Sequence, residues 1–320
     1  MKLFSGTPLS QFSDQPPPAD PAGAPPAAIE KAAAPIQVGE APAPRRRRRR
    51  SAAAPVVDVG PPSHWRIVAI PRLAAGGRWR VEAMRSLSEP LLLWFTRGQG
   101  RITVGGETRG YGAHNAVFIP PGVMHGFELG QQTFGTALFF GRGCDVSLPA
   151  QPLHLRIREA GPQAELNLIL DAIQRESESD KPGHDRAARH YLGLLGVWLE
   201  RQAEIAAAEI RKPDAARRLA RRYTELLEQE YRSPMGVADY AARLGVTATH
   251  LTRVCNQTCG RSASDILQDR KIFEARRLLA DTGLPVSEIG ALLGFTSAAY
   301  FTRAFQHRTG KTPSAFRKQG

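Results

Sequence analysis

Cysteine is scarce in this 320-residue chain: Cys144, Cys255 and Cys259 are too few and too scattered to form a disulfide framework. A reducing cytoplasm is therefore the expected compartment. No apolar run approaches the ~18 residues that a membrane helix needs, and the N-terminus lacks the apolar core of a signal peptide, so no membrane partner is expected. Aromatic side chains are nearly missing from residues 1–55, where Phe4 and Phe12 stand among 24 prolines and alanines. Such a segment cannot bury enough apolar surface to offset its ordering entropy, which predicts a disordered Pro/Ala-rich tail.

Acidic charge is also in deficit. The net charge of +13 divides into +4 over residues 1–55, +2 over 56–212 and +7 over 213–320. An excess concentrated in the last third suits a polyanionic partner, although on charge alone a solvated surface is the better explanation. Six consecutive arginines, Arg45 to Arg50, lie in the tail. They offer salt-sensitive attraction to phosphates, or belong to a spacer, or to sequence upstream of the true start.

From Val56 to about residue 160 the texture changes to short apolar runs broken by Gly and Pro. These are Trp65–Ile70, Leu91–Phe95, Arg101–Val104, Ala116–Ile119 and Thr136–Phe140. Gly105-Gly106 between two runs signals a hairpin, and short strands at regular spacing predict a sandwich or barrel. Past Gly161-Pro162 the period becomes helical, with Leu166, Ile169, Leu170 and Ile173, then Tyr191, Leu194, Leu195, Trp198, Leu199 and Ile205. Residues 161–212 therefore predict two amphipathic helices, covering the strands or pairing with a second copy, and Arg211-Lys212-Pro213 a linker.

The last third repeats itself. Val237–Thr247 matches Val286–Thr296 at an offset of 49, and Leu251-Thr-Arg-Val matches Phe301-Thr-Arg-Ala at an offset of 50. Each copy predicts a short helix, a Gly turn, a Thr cap (Thr247, Thr296) and a second helix, giving helix-turn-helix units at about 236–258 and 285–308. In the first unit Leu251, Val254 and Cys255 form the inward set, and Thr249, Thr252, Arg253 and Asn256 the opposite stripe. In the second, Phe301, Ala304 and Phe305 face inward and Ala299, Thr302, Arg303 and Gln306 outward. Side chains of these polar types reach base edges and phosphates in a major groove. One such helix is commonly an ordinary polar face; two copies with matched turns make that reading poor. Between them, Ser264-Asp265 opens a predicted helix to about Ala280 with Ile266, Phe273 and Leu278 inward, long enough to hold two reading heads about 34 Å apart along one DNA face. Cys255 and Cys259 stand four apart, a spacing that suits metal or oxidation sensing, but no further His or Cys completes a tetrahedral set.

Residues 213 to 318 resemble the AraC/XylS family of bacterial transcription regulators. The resemblance rests on Leu244-Gly245, Thr247–Arg253, Gly260, Arg270, Ala275–Leu279, Val286–Ile289, Gly294-Phe295, Tyr300–Phe305 and Gly310–Arg317. It implies DNA contact by Thr247, Thr249, His250, Thr252, Arg253 and Asn256 in the first unit. In the second it implies Ala298, Ala299, Thr302, Arg303 and Gln306. Cys255 departs from a usual phenylalanine and Gly290 from a usual alanine. The implied partners are double-stranded DNA, a small-molecule effector, RNA polymerase and a second copy of the chain; activation is the expected sign of regulation.

Ala116-Val-Phe-Ile followed by Pro120-Pro-Gly-Val-Met-His125 resembles the second motif of cupin barrels. Metal-binding cupins add a His-x-His and a Glu from an earlier strand, but Trp79–Pro90 holds no histidine, so neither metal nor cofactor is expected. A metal-free barrel still suits an effector. An anionic aromatic effector would need cations and flat walls, for which Arg80, Arg85, Trp94, Tyr111 and His125 are the candidates. The expected fold class is α+β multidomain: an N-terminal cupin-like β-barrel with flanking helices and a C-terminal all-α double helix-turn-helix domain over 213–320. The chain is read as a cytoplasmic, nucleoid-associated regulator and not an enzyme. Two rivals are a barrel that is only a dimerisation scaffold and a cupin enzyme fused to a DNA-binding module.

Overall fold

The computed structural model describes residues 65–209 and 214–318. The expected tail over 1–55, its arginine run and the Arg211-Lys212-Pro213 linker lie outside the described residues.

Eight strands precede the long helices: β1 (Arg66–Ala69), β2 (Leu91–Arg97), β3 (Gly100–Val104), β4 (Glu107–Tyr111), β5 (Asn115–Ile119), β6 (His125–Phe127), β7 (Phe134–Phe139) and β8 (Leu153–Arg156). They pair antiparallel in two sheets, β1-β7-β2-β5-β8 and β4-β3-β6. The expected closed barrel is thereby corrected: no ladder joins the two sheets among the described strands. The stretch Trp79–Glu82, which precedes β2, forms a short helix, α1, instead of a strand that could bridge them. The predicted hairpin is present, with Gly105 and Gly106 both at positive φ (55° and 79°) between β3 and β4, as a tight right-twisted hairpin requires.

β2 explains the layering. Its residues Leu91 to Phe95 are all buried because both faces are covered. Leu91, Leu93 and Phe95 pack with Ile102, Tyr111 and Phe127 between the sheets. Leu92 and Trp94 turn the other way, under α2 (Ala160–Ser177) and α3 (His184–Glu209). Those helices bury Leu166, Leu170, Ile173, Leu195, Trp198 and Leu199, while Leu168 and Leu194 face outward at 66% and 55% exposure. β4 carries no apolar run and is marked in the sequence only by the hairpin signal before it, because it is a half-buried edge strand with the polar sequence Glu-Thr-Arg-Gly-Tyr.

The remainder is helical: α4 (Ala215–Glu230), α5 (Val237–Arg243), α6 (Ala248–Cys259), α7 (Ala263–Asp281), α8 (Val286–Leu292), α9 (Ala298–Thr309) and α10 (Pro313–Arg317). Pro234, Gly245, Gly260, Gly283, Gly294 and Gly310 each fall between two of these helices. α7 starts earlier than expected, capped by Ser262, whose hydroxyl accepts from Asp265 N. Its inward side is Ile266, Ile272, Ala275 and Leu279. Phe273 is a correction: it meets the Trp79 ring of α1 edge-on at 5.6 Å, so it serves the contact with the strand region and not the helical core.

Candidate nucleic-acid interface and an interdomain cavity

Each helix-turn-helix is built from the same local parts. In the first, α5 ends at Leu244, Gly245 turns at φ 73°, and the Thr247 hydroxyl accepts from His250 N at 3.2 Å to start α6. In the second, α8 ends at Leu293 and Gly294 turns at φ 69°, but the cap is Ser297, accepting from Tyr300 N at 3.1 Å. Thr296 is therefore not the cap. The offset of 49 holds to the Gly turn and becomes 50 beyond it because the second turn carries one extra residue, which moves the cap to Ser297. Space as well as conformation constrains this second turn. A Cβ on Gly294 would lie 2.2 Å from the Ser233 carbonyl oxygen, whereas none of the described atoms stands within 4 Å of one on Gly245. Gly290 is likewise explained, since a Cβ there would press on the Phe301 ring at 3.1 Å.

The two second helices present equivalent faces. Leu251, Val254 and Cys255 are buried in α6, as are Phe301 and Phe305 in α9, with Ala304 half-buried. Outward, Thr249, Thr252, Arg253 and Asn256 are exposed, half-buried, exposed and exposed; Ala299, Thr302, Arg303 and Gln306 repeat that order. Thr247 and Ala298 are exposed at the two helix starts. Arg253 Nη2 lies 3.0 Å from His250 Nδ1, one turn earlier on the same helix. Sequence reasoning passed over Tyr300, which occupies the place of His250 one repeat later and is exposed beside Ala299. Its single ring in a polar stripe was the available signal.

α7 holds the heads in register. Arg270 is buried, gripped by Glu228 of α4 through Nε (2.7 Å) and Nη2 (2.9 Å), and lies 3.7 Å over the Tyr231 ring. Glu274 accepts from Arg277 at 2.7 Å, Arg232 at 3.1 Å and Arg270 at 3.3 Å. Burial alone would raise its carboxyl, but the Arg277 hydrogen bond and the charges of Arg270, Arg277 and Arg232 outweigh it and hold the group at about 2. Cys255 and Cys259 are buried in this core, and burial, then each other, pushes the Cys255 thiol up to about 12. Among the described residues no group of three or more His, Cys, Asp or Glu could hold a metal ion.

The five residues expected to hold an effector are dispersed. Trp94 faces the helices and donates from Nε1 to Asn167 Oδ1 at 2.8 Å. Tyr111 stacks on Phe95 at 4.0 Å between the sheets and donates to the Glu128 carbonyl. Arg80 lies over Trp79, with 4.8 Å from its Cζ to the ring centroid. Arg85 and His125 form one buried backbone bridge; burial lowers Arg85 to about 10, and burial plus the Arg85 charge lowers His125 to about 3. His125 is thus neutral near pH 7.

None of the five is among the described residues lining a cavity of about 450 Å³. It opens where the strand region meets the helical domain. Ile102, Val117, Met124, Leu153, Leu155 and Ala206 form its apolar wall. Arg109 and Glu107 of β4 and Arg217, Arg218, Arg221 and Glu225 of α4 form its charged rim. The Glu107 carboxylate accepts from Arg109 at 2.9 Å and from Arg217 at 3.2 Å. Nearby, Thr108 donates to the Cys259 carbonyl at 3.2 Å, tying β4 to the end of α6. The legible signals were the four arginines in the first two turns of α4 and the i, i+2 spacing of Glu107 and Arg109.

Residues 240–319 match the family of helix-turn-helix domains. The C-terminal segment is an AraC-type helix-turn-helix domain. Among curated relatives, the AraC-type domain is similar to the uncharacterized HTH-type transcriptional regulator YfiF of Bacillus subtilis, 37% identical over 84 residues, 26% of each chain. It is also similar to the arabinose operon regulatory protein of Escherichia coli, 32% identical over 85 residues, 27% of this chain and 29% of the relative. The match thus spans under a third of either relative. A solved structure, the C-terminal domain of the response regulator AraT from Geobacillus stearothermophilus, matches at 26% identity and a TM-score of 0.31, covering 32% of this chain and 85% of that one.

Proposed function

We propose that the protein is a sequence-specific transcription regulator that binds double-stranded DNA through α6 and α9 and responds to a small molecule held at the interdomain cavity. The observation that carries the DNA reading is the pair of outward stripes, matched residue by residue in exposure and each set on a capped helix after a Gly turn. Such helices enter successive major-groove segments, so one chain recognises a non-palindromic site. Thr249, Thr252, Arg253 and Asn256 supply more base readout than the alanine-led second stripe, where Thr302, Arg303 and Gln306 anchor the backbone.

The two-sheet region acts as a cupin-type sensor, and α2 and α3 bring two copies together. Leu168, Leu194 and Ile205 are 66%, 55% and 62% exposed and support that pairing. A dimer then gains affinity on adjacent half-sites through effective concentration. Among the described residues no helix is long and apolar enough to cross a membrane.

The test uses DNA selected from a random library by the full chain. Arg253→Ala and Arg303→Ala should each weaken binding by roughly 1–3 kcal/mol. Unchanged footprints with both variants would sink the assignment.

A further inference from the structure

We propose that Tyr300 anchors the second reading head on the DNA backbone: its ring packs on a deoxyribose of the groove wall and its hydroxyl donates to the adjoining phosphate. This deepens the DNA reading above and rests on it. Tyr300 is the third residue of α9 and is 44% exposed. It stands one residue after Ala299 and three before Arg303, which puts it about 60° round the helix from Arg303, at the edge of the outward stripe. A helix in a major groove turns the centre of such a stripe to the base edges and its flanks to the two backbones that wall the groove. Ala298 and Ala299, both exposed, are too short to hold the start of α9 away from the DNA. A long side chain on the flank then meets the wall.

The ring is held in place from behind. It lies tilted at 59° against Phe295, with 5.8 Å between ring centroids. Phe295 is fixed in turn. It packs on buried Phe301 at 5.1 Å, and Lys271 Nζ, which donates to the Ser233 carbonyl at 3.0 Å, stands 5.4 Å from its ring centroid. Among the described residues no group hydrogen-bonds to the Tyr300 hydroxyl, although a phenol uses its polar end wherever a partner is in reach. His250, at the same place in α6, lies 3.0 Å from Arg253 on its own stripe, whereas Tyr300 leans on the turn before its helix. A ring ordered in advance loses little rotamer freedom on binding. Donation to a charged phosphate is also stronger than donation to a neutral acceptor. The second head thus offsets the short reach of its two alanines with a firmer hold on the backbone.

Binding of the full chain to the selected DNA tests this, with Tyr300→Phe and Tyr300→Ala, and with each phosphate of the second head's half-site replaced in turn by a neutral methylphosphonate. Tyr300→Phe should lower affinity about tenfold, the loss expected for one hydrogen bond to a charged group. Tyr300→Ala should lower it further, because the ring contact goes as well. Both variants should select the same base sequence as the parent and keep its salt dependence, since a phenol neutralises no phosphate charge. One methylphosphonate should cost the parent several-fold more than it costs Tyr300→Phe, a coupling that a loss of folding does not produce. Parent affinity in Tyr300→Phe, a changed base preference, or equal losses in parent and variant at every neutralised phosphate would overturn the proposal. Arg253→Ala and Arg303→Ala separate the two readings. Unchanged footprints with both remove the DNA reading itself, whereas losses with both beside an unaffected Tyr300→Phe remove only the anchor.

Discussion

Arg308, near the end of α9, donates to Asp269 of α7 at 2.9 Å, and the same carboxylate also takes Arg261, which follows α6. One side chain of the connecting helix thus holds the far ends of both reading helices. Asp265, one turn earlier, adds a second bond to Arg308 at 2.5 Å. The spacing of the heads is set by this clasp as well as by the length of α7.

Asp269→Asn should weaken both ends at once, leaving Arg308 held by Asp265 alone. The pairs are only partly buried, so the expected loss of stability is about 1–3 kcal/mol. Affinity for a complete two-head site should fall more than affinity for either half-site. Urea unfolding and titration of full and half-sites give the two numbers; equal losses on all three DNAs would show that the clasp does not set register.

Glu274 gives a pH signature. Its folded value of about 2 lies below the ordinary 4.5, so the unfolded chain binds the proton first on acidification. Its contribution is complete above 4.5 and is lost as pH falls towards 2. Glu274→Gln should cost about 2–4 kcal/mol at pH 7, since it weakens the hold on buried Arg270. The gap between parent and variant melting temperatures should close between pH 4.5 and 2, and a constant gap would count against the network.

The two Gly turns should respond unequally. Gly245→Ala meets only the strain of a left-handed backbone, about 1–2 kcal/mol. Gly294→Ala adds a collision with the Ser233 carbonyl at 2.2 Å and should be the more damaging by at least about 1 kcal/mol. Paired thermal melts decide the order.

Trp79 is the aromatic link between the strand region and the second head, in contact with Phe273 at 5.6 Å and Phe316 at 6.0 Å and with Arg276 Cζ 5.3 Å from its ring centroid. Trp79→Ala should raise amide hydrogen exchange in α1 and α10 and leave α6 protected. Uniform exchange throughout the helical domain would indicate a general loss of folding instead.

Much of the helical domain was legible because its signals are local. Gly245, Gly260, Gly294 and Gly310 each adopt positive φ at a helix boundary, and the inward triads follow from helical period alone. The cap at Ser297 was misread as Thr296 because a repeat alignment does not say on which side of a turn an extra residue sits. Phe273 was assigned to the helical core because period marks a residue as apolar without naming what covers it. In the strand region the apolar runs marked β1, β2, β3, β5 and β7; the polar β4 was marked only by the hairpin that joins it to β3, whereas β6 and β8 are short and gain their strand form from partners farther along the chain.

By itself the sequence determined the repeated helix-turn-helix, the faces of α6 and α9, the Gly105-Gly106 hairpin and the helices over α2 and α3. Each depends on periodicity and backbone preference acting over a few residues. Only the tertiary structure decided that the strands make two sheets, that Trp94 and Tyr111 face opposite ways, and that Arg109 of β4 meets Arg217 and Arg221 of α4 around a cavity. The last of these relations joins residues about a hundred positions apart in the chain, and side-chain direction on a strand reverses with each residue, so the packing of whole elements had to be known first.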